Sequence, residues 1–372
     1  MDNLLYWVWL TSIPGLGSVK ISKLLNAFGE PEKVWNATES DLKNVTGLNR
    51  QDIFQLCNKN TEMAEKIMIK AGQLGIRIVT IQETEYPSYL RNIYDPPHVL
   101  YVYGELPKQD DIAIAVVGSR NASPYGQKVA EALSYQLAKR GIIIVSGMAR
   151  GIDTYAHKGA LNAGKRTIAV LGCGVDVVYP KENKRLAESI AKNGALISEY
   201  PPGTYPSPGN FPARNRIISG LCYGTVVVEA GEKSGALITS DFALEQGREI
   251  FAVPGNIDSK YSKGTNRLIK QGAKLITCEE DVLEELPQHI LNKTVYHFTY
   301  DNGGLLESGE SMYEELDMEE IAVIEALSYT PVHIDQLYRK LGYSMQKLSA
   351  ILMMLEMKGF IYQIPGKFFI RR

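Results

Sequence analysis

Five short stretches of this chain put cations, hydroxyls and glycines where they could grip an anion. Gly118-Ser119-Arg120 follows the apolar run Ala113–Val117, and Ser146-Gly147-Met148-Ala149-Arg150-Gly151 follows Ile142–Val145. Tyr179-Pro180-Lys181 ends a third loop, and Lys233-Ser234-Gly235 lies beyond Thr225–Val228. Arg120 offers a planar fork of donors that matches phosphate or carboxylate, whereas Lys181 and Lys233 offer point charges. The fifth stretch, Phe211-Pro212-Ala213-Arg214-Asn215-Arg216, carries two arginines two positions apart. On a helix these face different ways, so one is expected to reach a ligand and the other to brace a loop or pair with Glu199 or Glu229. Acid–base chemistry is sparse. Asp153 and His157 lie one helical turn apart with no serine or cysteine nucleophile placed beside them, and they are expected to pair as structural residues. The four cysteines have no paired spacing and the five histidines are scattered, so neither a disulfide framework nor a metal site is expected.

These stretches share a position: each lies where an apolar run hands over to the start of an amphipathic one. Ala113–Val117 is apolar throughout, the pattern of a strand buried on both faces. Ser123-Pro124 beyond it is a side-chain cap followed by a first-turn proline. From 112 to about 287 the alternation repeats, with strands predicted at Ile142–Val145, Thr167–Leu171, Ala195–Ser198, Thr225–Val228 and Ile250–Val253. The pattern predicts a Rossmann-like α/β domain, a doubly wound, mostly parallel sheet with helices on both faces. Ligands of such sheets bind outside the carboxyl ends of the strands, where free helix-start N–H groups favour an anion. The chemistry-bearing stretches should therefore meet along one edge.

Two nucleotide motifs fail on context, and no cofactor is expected. Gly159–Arg166 has P-loop spacing but joins a helix to a strand and lacks the magnesium-binding Ser or Thr, so Gly164 reads as a helix stop. Gly147-x-x-x-Gly151 is short of the dinucleotide fingerprint, and no acid closes the next strand to hold a ribose.

Around this centre the chain divides further. Residues 1–85 are helical in pattern. Pro14-Gly15-Leu16-Gly17 before Ile21, Leu24, Leu25 and Phe28, with a weaker copy at Val45-Thr46-Gly47-Leu48, resembles a helix-hairpin-helix (SAM-like) module whose turn would offer N–H groups to a phosphate. Residues 86–287 hold the Rossmann-like domain, beginning with a linker that adds one strand, Val99–Tyr103. Residues 288–318 are acidic, contain Gly303-Gly304 and predict a tether. Residues 319–372, three helices and a hairpin around Pro365-Gly366, predict a winged helix. The outer face of its third helix shows Met353, Met354 and Met357, which suits a protein contact better than base reading.

A net charge of −2 seems to argue against a polyanionic partner, but its distribution does not. Residues 279–320 hold thirteen acids and one base, and their −12 leaves the rest of the 372-residue chain at +10. No apolar run is long enough to span a bilayer, and Met1-Asp2-Asn3 lacks the basic start of a leader, so a cytoplasmic location without membrane contact is expected.

Taken together, Gly118-Ser119-Arg120, Ser146–Asp153, Tyr179-Pro180, Ser198-Glu199-Tyr200, Phe211-Pro212-x-Arg214-Asn215-Arg216-Ile217-Ile218, Glu229-Ala230-x-x-x-Ser234-Gly235 and Val253-Pro254-Gly255 resemble the DNA processing protein A (DprA/Smf) family across about 112–287. The resemblance implies a protein that binds single-stranded DNA, protects it during natural transformation and loads the recombinase RecA, acting as a homodimer and not as an enzyme. It implies a DNA site drawn from Gly118, Ser119, Arg120, Ser146, Gly147, Lys181, Phe211, Arg214, Asn215, Arg216, Lys233, Ser234 and Gly235. It also implies a dimer face around Leu268, Ile269 and Leu275. A cationic crevice without a catalytic constellation agrees with strand binding, and Tyr125, Tyr179 and Phe211 are the nearest candidates for base stacking. The competing reading is a nucleotide-processing enzyme. Gly224-Thr225-x-x-x-Glu229 is similar to the Gly-Gly-x-Gly-Thr-x-x-Glu signature of phosphoribohydrolases, but it is one residue longer and lacks the glycine pair.

Overall fold

The computed structural model describes residues 3–106, 111–286, 317–327, 332–358, 360–364 and 366–371. Six helices open the chain: α1 (Asn3–Ser12), α2 (Ser18–Phe28), α3 (Pro31–Asn36), α4 (Glu39–Lys43), α5 (Arg50–Cys57) and α6 (Glu62–Gln73). Then come β1 (Arg77–Thr80), α7 (Ser88–Arg91), β2 (Val99–Gly104) and β3 (Ala113–Val117). From β3 strands and helices alternate through α8 (Pro124–Lys139), β4 (Ile143–Ser146), α9 (Ile152–Asn162), β5 (Thr167–Val170), α10 (Lys184–Asn193) and β6 (Ala195–Ser198). The series continues with α11 (Asn210–Gly220), β7 (Gly224–Val227), α12 (Gly235–Glu245), β8 (Glu249–Ala252), α13 (Lys263–Lys270), β9 (Lys274–Leu275) and α14 (Glu280–Leu283).

The nine strands form one sheet in the order β1-β2-β6-β5-β4-β3-β7-β8-β9, parallel from β6 to β9. The chain winds outward from β3 in one direction through β4, β5 and β6, then returns to the far side of β3 and winds the other way through β7. The reversal leaves a topological switch point between β3 and β7, where the connections above the strand ends diverge and a crevice must open. Every residue of β3, β4, β5 and β7 is buried, as expected of mostly apolar strands in the middle of a parallel sheet.

The start of the sheet differs from expectation. Arg77–Thr80 falls inside the stretch that reads as helical, yet it is β1, antiparallel to β2 with Ile78 opposite Tyr101. Four residues are too few to show a strand period beside a long helical segment. The amino-terminal helices also share a core with the sheet: Trp7, Leu10 and Leu24 pack in one cluster with Tyr101, Leu171, Leu196 and Ile190 of α10. Gly164, at φ 65°, follows the end of α9 as the helix stop that its spacing predicts.

The described residues from 317 onward form a second compact unit. Helices at Met318–Ala326, Ile334–Leu341 and Met345–Met357 pack with a three-stranded antiparallel sheet built from Val332–His333, Ile361–Ile364 and Phe368–Arg371, a winged helix. Leu348, Ile351, Leu352 and Leu355 face its core, while Met353 and Met354 are exposed. The expected tether, 288–318, lies outside the described residues except for its last two.

Helices α8 and α9 approach each other closely around Gly159, in the second half of α9. A Cβ on Gly159 would stand 2.2 Å from the Glu131 carbonyl oxygen of α8. Gly159→Ala is therefore expected to destabilise the protein by about 3 kcal/mol in urea unfolding, the upper range for overpacking a rigid contact. An unchanged midpoint would show that the two helices can spread.

Candidate nucleic-acid interface

Above the switch point lies a crevice of about 630 Å³. Its walls are the loop after β3, the loop after β7, the start of α9 and the first turns of α11 and α12. Close backbone packing sets the walls. The Ser119 N–H donates to the Glu229 carbonyl at 2.8 Å, and the Ile152 N–H donates to the Ser119 carbonyl at 3.2 Å. A Cβ on Gly118 would meet Ile152 at 2.5 Å, and one on Gly151, at φ 72°, would meet the Ser119 oxygen at 2.2 Å. Both glycines are there because three loops converge without room for side chains.

Cations stand on the rim. Arg120 and Lys233 are exposed, on the loops after β3 and β7 respectively, and both line the crevice. The Arg120 guanidinium lies 5.4 Å from the centre of the Phe211 ring, and the Tyr179 ring lies 5.4 Å from Phe211 in turn. The three groups form a continuous π and cation surface. Asn215 ties α11 to α12 by donating to the Gly235 carbonyl at 3.3 Å, and Ser234 caps α12 by accepting the Ala236 N–H.

The floor is ionic and buried. Arg214 is 4% exposed and donates to the Gly147 carbonyl at 2.8 Å, to the Val170 carbonyl and, through Nε, to Asn215 Oδ1 at 3.2 Å. Burial lowers its pKa to about 10, with Asp153 pulling the other way, so it stays cationic at neutral pH. A Cβ on Gly147 would lie 2.5 Å from this guanidinium, so the glycine makes room for the arginine. Asp153 accepts the Gly147 and Ala149 N–H groups at 3.2 and 3.3 Å. Burial raises its pKa, against the attraction of Arg214 and of those backbone donors.

Of the thirteen predicted contact residues, Gly118, Ser119, Arg120, Phe211, Arg214, Asn215, Lys233, Ser234 and Gly235 line this crevice. The other four do not. Ser146 is fully buried and donates to the Val116 carbonyl at 2.7 Å, which makes it a strand-to-strand tie. Gly147 lies behind Arg214. Lys181 is exposed in a single 3-10 turn, Lys181–Asn183, off the lining. Arg216 is 6% exposed on the far side of α11, held by Asp95 at 3.0 Å and Glu199 at 2.6 Å, so it is the bracing arginine of the pair. Tyr125 lines a separate groove with Val129 and Pro254.

Two further expectations change. One helix start is already filled: Glu229 accepts the Ser123 N–H at 2.9 Å and its hydroxyl at 2.5 Å, so the protein's own carboxylate occupies the start of α8. The same contacts leave Glu229 buried behind Ser123 instead of facing the crevice, where the phosphoribohydrolase reading would need it. Asp153 and His157 do not pair. The Thr167 hydroxyl donates to the Ile144 carbonyl at 2.7 Å, which leaves its oxygen to accept from His157 Nδ1 at 2.8 Å. Burial pushes the His157 pKa down to about 3, so this ring is neutral. The crevice-lining place of Asp153 is what the sequence reading missed; its only signal was an acid in the first turn of a helix that follows a buried strand. At the dimer face expected from resemblance, Leu268 is 7% exposed and belongs to the core, whereas Leu275 on the sheet's edge strand is 45% exposed.

Residues 77–287 match the family described as DNA recombination-mediator protein A, and residues 310–367 match the DprA winged helix domain. The chain is 44% identical to DNA processing protein DprA of Bacillus subtilis over 62% of this chain and 77% of that protein. It is 33% identical to Protein Smf of Synechocystis over 99% of this chain and 98% of that one. The X-ray structure of DNA processing protein A from Streptococcus pneumoniae is similar with a TM-score of 0.68 and 38% identity, covering 77% of this chain and 99% of that one.

Replacing Arg216 by leucine strands Glu199, a carboxylate whose pKa burial raises and Arg216 lowers. Arg216→Leu is expected to reduce unfolding free energy by roughly 3–5 kcal/mol at pH 8, as for breaking one side of a buried pair. Burial already holds the folded-state pKa of Glu199 above its unfolded value, and without Arg216 it rises further, so the deficit should shrink as pH falls toward 5 and grow as it rises. Urea titrations at both pH values check it, and a deficit that ignores pH would remove Glu199 from the explanation.

Proposed function

The chain belongs to the DNA recombination-mediator protein A family, and from that premise we propose that its crevice holds single-stranded DNA. As a member of this family it is a DNA-processing protein. The finer reading is that it binds incoming single strands during natural transformation, shields them and passes them to the recombinase RecA in the cytoplasm. On this reading it acts by binding and carries out no catalysis. Among the described residues, no helix is long and apolar enough to cross a membrane.

The observation that carries the reading is the Arg120–Phe211 pair at the mouth of the switch-point crevice. An exposed guanidinium stacked on a half-buried ring offers a charge to a phosphate and a flat apolar face to a base in one place. Lys233 adds a second cation across the opening. The body of the chain, with its acids concentrated in 279–320, is basic enough to favour a polyanion.

A homodimer is the further part of the proposal. Leu275 lies on β9, an edge strand of two residues, and an exposed leucine beside unpaired backbone suits a second copy of the same edge.

Arg120→Ala is expected to weaken binding of an oligothymidylate and to lower the slope of log affinity against log salt by about one unit, the share of one lost phosphate contact. The same variant should place less RecA on a strand already coated by it. Wild-type binding in a salt-resolved anisotropy titration would remove Arg120 from the interface. For the dimer, Leu275→Glu is expected to halve the mass seen by light scattering without lowering the unfolding midpoint; an unchanged mass would exclude this edge.

A further inference from the structure

One charged group of the crevice is left unused by phosphate contacts. Asp153 lines it and is 6% exposed. Both of its backbone hydrogen bonds fall on Oδ2; Oδ1 takes none among the described residues and is not sealed away from the crevice. A carboxylate oxygen in a nearly buried group is costly to leave without a donor. Phosphate cannot satisfy it, because a phosphodiester brings only acceptors and a like charge. What fits is a ligand group with an N–H.

We propose that Asp153 Oδ1 accepts an N–H from the Watson–Crick edge of an unpaired base, which makes Asp153 a residue that selects single strands over duplex. The inference rests on the strand-binding reading above. Each base carries a donor on that edge: the amine of adenine or cytosine, N1–H and the amine of guanine, N3–H of thymine. An acceptor that serves this edge is therefore tolerant of sequence. In a duplex the N–H on that edge is already given to the paired base, and the second amine N–H of adenine, cytosine or guanine points into a groove away from that edge, so the same acceptor is selective for strand state. The surroundings suit a base. Phe211 and Tyr179 offer ring faces in the same crevice, while Arg120 and Lys233 remain on the rim for the backbone. At the floor the charge of Asp153 is balanced by the buried Arg214, while the exposed cations stand on the rim, an arrangement that suits bases inward and backbone outward.

The test uses the full-length protein, wild type and Asp153→Asn, with oligothymidylate and with the same oligomer methylated at N3 of thymine, by fluorescence anisotropy at fixed salt. The asparagine keeps an oxygen for the Gly147 and Ala149 N–H groups and turns an amide N–H2 toward the crevice. In the wild type, N3-methylation is expected to weaken binding about tenfold, the scale of one hydrogen bond to a charged group. In Asp153→Asn the two oligomers should bind within about twofold of each other, because the acceptor is gone. An equal N3-methyl penalty in both proteins overturns the assignment. If the variant does not fold, the wild type decides alone through oligodeoxyuridylate, which lacks a methyl on the opposite edge. A penalty at N3 with uracil and thymine alike supports the inference, and equal penalties for a methyl on either edge overturn it in favour of crowding. Failure of the strand-binding reading looks different: the wild type would bind none of these oligomers in a salt-dependent way.

Discussion

A buried guanidinium organises this molecule. Arg214 sits where the ends of β4 and β5 meet α11, and it donates to the Gly147 carbonyl just after β4 and to the Val170 carbonyl at the end of β5. A cation that deep is tolerable only if its donors are used and a counter-charge is near. The demand propagates. Gly147 has to lack a side chain, Asp153 has to be buried beside it, and Asn215 has to turn its oxygen toward Arg214 Nε while its amide reaches Gly235. Satisfying one arginine thus fixes α9, α11 and α12 relative to the sheet, and the crevice is the space that arrangement leaves.

The same helix is pinned from behind. Arg216, two residues on, takes Asp95 and Glu199, and its Nη2 lies 3.5 Å from the Ser18 hydroxyl at the start of α2. Helix α11 is therefore held by two buried guanidiniums, Arg214 hydrogen-bonded beneath the crevice and Arg216 paired with Asp95 and Glu199 and touching Ser18 of the amino-terminal helices. Phe211, in its first turn, inherits its position from both. The amino-terminal helices thus contribute to the site without lining it: they complete the packing that holds α11 still.

Much of this was legible in the sequence because buried parallel strands announce themselves. Ala113–Val117 and its counterparts are apolar without a break, and the glycine, serine and basic residues after them mark the edge where a ligand would bind. What could not be read was direction. Arg214 and Arg216 look alike in sequence, and only the cover of α11 on both sides decides that both are braces and that the first also floors the crevice. Leu268 and Leu275 are equally apolar, yet one lies on the buried stripe of α13 and the other is exposed on the edge strand β9. Lys181 belongs to a loop rich in signals, but a one-turn helix carries it off the lining. β1 was hidden for lack of length. Each of these turns on tertiary cover, which a linear pattern does not carry.

The distribution of charge also settles which physics is available for gripping a strand. In many α/β proteins the helix dipole and its free N–H groups hold a phosphate. Here some of those positions are taken from within: Glu229 fills the start of α8 and Ser234 accepts one N–H in the first turn of α12, while Asp153 engages the loop backbone before α9. Fixed cradles of that kind would lock a phosphate in one register. On the proposed function, Arg120 and Lys233, exposed on flexible stems, would hold charge at the rim without fixing position, and the ring of Phe211 would take any base face. A protein that has to engage strands of arbitrary sequence gains from that trade, because cation and ring contacts tolerate sliding where a backbone cradle does not.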